Sequence, residues 1–187
     1  MPYRASGGIL LTMGDATAKK PKVIHGKEMT AYGVFRLAET YRMSADALAQ
    51  IGPQMSDHPR RLLYFQALEN YLRSFQLLGG TTPEDVRDYN HNFAARLTAC
   101  KALGLQLPKE VQDFVQSPKR SKEYVRIRYD YRLDKQGAPW QAERTMERLR
   151  AVVAEVEKAV DLAVQASNPE FIMLGEIKLT KISAFGP

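Results

Sequence analysis

Arg87 and His91 are the residues of this chain with the most direct chemical potential. They stand four positions apart in the run Arg87-Asp88-Tyr89-Asn90-His91-Asn92-Phe93, so a continuous helix would project both from one side. A histidine placed that way can act as general base toward a ribose 2′-hydroxyl, while the arginine fork holds the adjacent phosphate through charge-assisted hydrogen bonds. The same histidine can instead be structural, bonding across a helical bundle to Glu69 or to a tyrosine. At ~100° per residue His91 falls off the Val86, Phe93, Leu97 stripe and toward a groove. The structural role is the preferred assignment.

A second candidate surface is Tyr124-Val125-Arg126-Ile127-Arg128-Tyr129-Asp130-Tyr131-Arg132. Its alternation fits a strand, with Arg126 and Arg128 on one side and Val125, Ile127 and Tyr129 on the other. A helical turn followed by an extended arm fits equally. Arginine forks suit phosphates, and Tyr129 can stack on a base. The competing and preferred assignment pairs the arginines with Glu123, Asp130 or Asp134 and packs the tyrosines on the bundle. Just upstream, Lys119-Arg120-Ser121-Lys122 reads as a solvated turn, with Arg120 extending the basic run.

These residues belong to a chain of 187 with formal charge +6, whose lysines and arginines cluster near 19–27 and 119–132. Such a balance suits a nucleic acid or another polyanion, and equally suits a mildly basic protein with no such partner. No apolar run approaches the ~20 residues of a membrane span, and Ile9-Leu10-Leu11 is too short for a signal-peptide core. A cytoplasmic protein with no membrane partner is expected. Cys100 is the single cysteine, so it reads as a small buried hydrophobe in a reducing compartment. The sequence contains no phosphate loop, no dinucleotide fingerprint and no Cys/His set with zinc spacing. No cofactor and no metal are expected.

The elements that must position the candidates are helical. A first helix is expected over 27–51, with Phe35, Leu37, Tyr41, Leu48 and Ile51 inward. Asp57 as cap and Pro59 in the first turn open a second, running to Leu78 and stopped by Gly79-Gly80. Its apolar residues are so many that it should be central. Thr82 and Pro83 start a third helix over 83–103, with Gly104 as its C-terminal stop. Pro108 opens a short fourth carrying Val111, Phe114 and Val115. The last spans Trp140 to Ala166, with Met146, Leu149, Val153, Val156, Val160 and Ala163 at helical spacing. The expected fold is an all-α antiparallel bundle of about four to five helices over 27–167. Arms at 1–26 and 168–187 carry strand-like segments that can form a small β hairpin or dock on a neighbouring subunit.

On these motifs the chain resembles the HEPN domains (higher eukaryotes and prokaryotes nucleotide-binding), especially their bacterial branch. Ala67, Glu69, Leu72 and Arg73 match a second-helix pattern Ala-x-Glu-x-x-Leu-Lys, with arginine for lysine. Asn90-His91-Asn92-Phe93 stands where the family has Gly-His-Asp-Leu, and Arg126-Ile127-Arg128-Tyr129 is similar to its Arg-Tyr segment before the last helix. The resemblance covers about residues 30–167 and implies a homodimeric module binding nucleotide or RNA through Arg87, His91, Arg120, Arg126, Arg128 and Tyr129. A second implication is a metal-independent, toxin-like endoribonuclease with Arg87 and His91 catalytic and a nucleotidyltransferase-like antitoxin as partner. Ribonuclease members of the family, however, place four to six residues between arginine and histidine, where Arg87 and His91 are separated by three. That departure favours the binding module. A dimeric interaction scaffold with no nucleic-acid ligand is a third reading.

Overall fold

Every residue from Ala67 to Leu72 is buried. Six consecutive helical positions sweep more than a full turn, so the helix carrying them is covered on all sides. That helix is α2 (His58–Leu78) in the computed structural model, which describes residues 28–51, 56–129, 135 and 143–167. Around it, in chain order, are α1 (Ala31–Leu48), a 3-10 turn at Ala49–Ile51, α3 (Pro83–Asp88), α4 (Phe93–Ala102), α5 (Lys109–Gln116), α6 (Pro118–Arg126) and α7 (Glu143–Ser167). Among the described residues there are helices and no strand, so the fold is an all-α bundle. α2 packs chiefly on α1 and α7, and also on α3 and α4. α5 and α6 close the remaining side against α4 and α7.

The helix starts follow from local chemistry. Thr30 caps α1 by accepting from the Gly33 amide at 3.0 Å, and Thr82 caps α3 by accepting from the Asp85 amide. α1 therefore begins at Ala31, later than expected. Its inward residues are Val34, Phe35, Ala38 and Ala45, whereas Leu37 and Ile51, expected to face the core, are exposed. Asp57 sits at the N-cap of α2 without making a side-chain cap bond. Gly80 and Gly104 take the positive φ values, 85° and 99°, that follow helix ends. A Cβ on Gly79 would meet the Leu103 side chain, Cδ1 at 2.8 Å, so the end of α2 and the end of α4 lie against each other there.

The expected third helix over 83–103 is two helices. Asn90 has φ +46°, a left-handed conformation that a continuing α-helix does not allow. Asn92 then caps α4 by accepting from the Ala95 amide at 3.1 Å. Within the open region 119–138, the described residues are helical through Arg126, because Tyr124 and Ile127, three apart, are the residues that go inside. The expected strand, with Arg126 and Arg128 on one side and Val125, Ile127 and Tyr129 on the other, does not form among the described residues. α7 matches its pattern, with Met146, Leu149, Val153, Val156 and Val160 all buried. The expected arms and their β hairpin, at 1–26 and 168–187, lie outside the described residues.

The core runs from Phe35 on α1 through Phe65, Leu68 and Leu72 on α2 to Phe93, Phe114, Tyr124 and the α7 valines. Polar ties lock its outer edge. Asp46 on α1 accepts from Tyr64 Oη at 2.6 Å and from Arg42 Nη1 at 2.8 Å, and Arg42 Nε donates to Glu157 of α7 at 2.9 Å. At the other end, Arg61 of α2 and Arg120 of α6 both pair with Glu123, which clamps α6 against α2.

Leu68 is fully buried on α2. Leu68→Ala should destabilise the protein by ~2–5 kcal/mol, seen as a lower urea midpoint at unchanged slope. Glu39 supplies a pH signature. Burial raises its pKa above the ordinary 4.5, an effect that Arg36 opposes and that Glu157 and Asp161 reinforce. A raised carboxyl pKa means that stability present below the ordinary value is lost as pH rises through the folded one. Glu39→Gln should therefore melt higher than wild type at neutral pH, and the gap should close below the ordinary value, as read by thermal denaturation across pH.

Candidate functional site

Four elements bring polar side chains to one place. Glu69 and Arg73 are four apart on α2, so they share a face and pair at 2.7 Å. Arg96 comes from α4 and is fully buried. Its guanidinium donates to Gln76 Oε1 at 2.6 Å, to the Val86 carbonyl at 3.1 Å and to the Asn90 carbonyl at 2.9 Å, and lies 3.8 Å from Glu69. These bonds hold the α3–α4 turn against the core, and the turn presents His91. Tyr124 comes from α6, and Arg128 from the turn that follows it.

His91 Nδ1 is 3.1 Å from Glu69 Oε2, and its Nε2 is 3.3 Å from Arg128 Nη1. The ring stands edge-on to Tyr124, with centroids 5.0 Å apart and planes at 85°. Arg128 lies over the same tyrosine, 4.2 Å from its centroid. A carboxylate only accepts and a guanidinium only donates, so the network assigns the proton of neutral His91 to Nδ1 and the lone pair to Nε2. The side chain of Glu69 is 2% exposed, that of Arg73 24% and that of His91 36%. The site is therefore a buried carboxylate floor with a half-open rim.

The electrostatics are unbalanced. Burial, then the neighbouring charge of Arg73, brings the Arg96 pKa down to about 10, while Glu69 pulls the other way. Burial and then Glu69 push the Tyr124 hydroxyl well above its ordinary value. That hydroxyl lies beside Glu69 and Arg128 without the geometry of a hydrogen bond to either. Arg73 Nε and Arg96 Nε are likewise buried donors without a partner. Cys100 is buried and its thiol is pushed up to about 12 by burial, as suits a core residue and not a nucleophile.

The residues expected at a site separate. His91 and Arg128 come together. Arg87 is on α3 and His91 is in the turn beyond its end, so they do not project from one helix as expected. Arg120 is not in a solvated turn. It is half-buried in α6, pairs with Glu123 and covers the Phe114 ring at 4.4 Å. Arg126 and Tyr129 are exposed at the end of α6, Tyr129 at 82%. Glu69 was anticipated as a partner of His91. Glu39 stands apart from this cluster in sequence and pairs with Arg36 on its own helix. Arg96 was missed, although its spacing from Phe93 and Cys100 puts it on the inner face of α4.

Among the described residues no group of three or more histidines, cysteines or carboxylates is placed to hold a metal. Among them, too, no helix is long and apolar enough to cross a membrane. A separate open cleft of about 520 Å³ is lined by Thr81, Asp85, Asp88, Tyr89, Asn92 and Ala95, and its aspartates disfavour an anion. Comparison of the chain with protein-family models, with curated proteins and with solved structures finds no match in any of the three. What can be said of function therefore rests on the residues themselves.

Removing Glu69 strands Arg96 in the core, whereas His91 is partly exposed. Glu69→Ala should cost ~3–5 kcal/mol. His91→Ala should cost ~0.5–1.5 kcal/mol and keep the native circular dichroism. Denaturant titration of the two variants measures the difference.

Proposed function

We propose that this protein is a nucleotide- or RNA-binding module whose phosphate site is the rim formed by Arg73, His91 and Arg128. One observation carries the reading. A single buried carboxylate, Glu69, is met by two guanidinium groups, from Arg73 and Arg96, and a third, from Arg128, stands at the other nitrogen of the His91 ring that contacts it. The cluster has more positive charge than its carboxylate offsets, and a phosphate supplies the missing negative charge and hydrogen-bond acceptors. Arg126 and Tyr129 at the end of α6 extend the rim with a cation for a neighbouring phosphate and a face on which a base can stack. Homodimerisation and a protein partner stay within the resemblance to HEPN domains.

The endoribonuclease reading gains support from one feature. Glu69 accepts a hydrogen bond from His91 Nδ1–H, which leaves Nε2 as an oriented base, the arrangement used wherever a carboxylate positions a catalytic imidazole. In that reading Arg128, not Arg87, is the phosphate ligand beside the base. A nucleotidyltransferase-like antitoxin belongs to this alternative alone.

Fluorescence anisotropy with a short labelled RNA tests both. Arg128→Ala and Arg73→Ala should each weaken binding and reduce its salt slope by about one phosphate contact. An unchanged slope in both removes the rim from the interaction. Chelator-resistant cleavage of the same RNA that disappears in His91→Ala would establish the catalytic alternative.

A further inference from the structure

Arg128 rests on a poor acceptor. Its Nη1 donates to the Nε2 lone pair of a neutral imidazole at 3.3 Å, long for a hydrogen bond, while its guanidinium covers the Tyr124 ring. A phosphodiester oxygen is a stronger acceptor for that fork. The Nδ1 proton of His91 is committed to Glu69, so Nε2 is the ring atom turned to the rim. If Arg128 turns to a bound phosphate, Nε2 loses its donor and its bare lone pair faces an anion. A proton on Nε2 converts that repulsion into a second hydrogen bond to the phosphate.

Both ring nitrogens have charged neighbours. Arg128 beyond α6 meets Nε2 and Glu69 of α2 meets Nδ1, while Arg73 of α2 and Arg96 of α4 stand behind the ring against Glu69. Tyr124 of α6 meets the ring edge as a neutral wall. A bound phosphate draws Arg128 away from Nε2 and adds a negative charge on the open side, where a protonated Nε2 can donate to it. We infer that binding of a phosphodiester at this site is coupled to uptake of a proton at His91 Nε2, which makes the rim a proton-linked phosphate clamp. The inference rests on the phosphate-binding reading above and adds its regulation: affinity rises as pH falls through the titration of the imidazole.

The test uses the full chain and an oligouridylate without terminal phosphate, whose own charge is constant across the neutral range. Affinity is measured by calorimetry at several pH values and in buffers of different ionisation enthalpy. Wild type should take up ~0.5–1 proton per site occupied, and its affinity should rise by up to about tenfold per pH unit of acidification. His91→Gln keeps a polar side chain but cannot take the proton, so its uptake and pH slope should fall toward zero. Equal uptake in wild type and His91→Gln, with binding intact, overturns the proton linkage and leaves the phosphate site standing. Absence of binding at every pH overturns both. Should His91→Gln fail to fold by circular dichroism, His91→Asn provides the same comparison.

Discussion

Glu69 is the constraint from which the rest of the arrangement follows. A carboxylate 2% exposed on the most enclosed helix must be met by donors and positive charge, because burying it alone costs far more than a small domain's net stability. Arg73 meets it from the same helix and His91 and Arg96 from across the bundle. Arg96 is then itself a buried cation and needs acceptors, which it finds in Gln76 and in the carbonyls of Val86 and Asn90. Those carbonyls are within reach because the chain breaks between α3 and α4. The break is what places His91 on the rim.

A network of this kind is a poor way to gain stability. Well-packed apolar residues in the same volume would serve at least as well, and each partly satisfied donor adds cost. The Nε atoms of Arg73 and Arg96 are such donors. They lie behind the half-open rim of Arg73 and His91, which α2 backs. The cluster at the opposite edge, where Asp46 and Glu157 meet Arg42, Arg150 and Tyr64, balances acid against base and reads as a tie between α1, α2 and α7.

Much of the fold was legible because it depends on local rules. The valines of α7 recur with helical spacing, Thr82 with Pro83 announces a helix start, and the apolar excess of α2 marks it as central. The α3–α4 break was not legible. Asn90-His91-Asn92 contains neither glycine nor proline, and the left-handed Asn90 is sustained by tertiary bonds from Arg96. The pairing of Arg87 with His91 depended on a continuous helix and fell with it. The region 119–138 was ambiguous because the alternation from Tyr124 to Arg132 suits a strand and a short helix alike, and for its described part only the packing of Tyr124 and Ile127 decides. At the site, the contact of His91 with Glu69 was one of two readings the residues allowed. A fully buried Arg96 ran against the usual exposure of arginine and was overlooked.

The central claim is that Glu69 fixes the proton of His91 on Nδ1 and leaves Nε2 to Arg128. Nitrogen-15 NMR of histidine-labelled protein, with the His91 signals assigned through His91→Gln, reads the imidazole tautomer directly. The account predicts that neutral His91 is the Nδ1–H form. A neutral His91 found as the Nε2–H form would mean that Glu69 does not orient the ring, and the site as described would not exist.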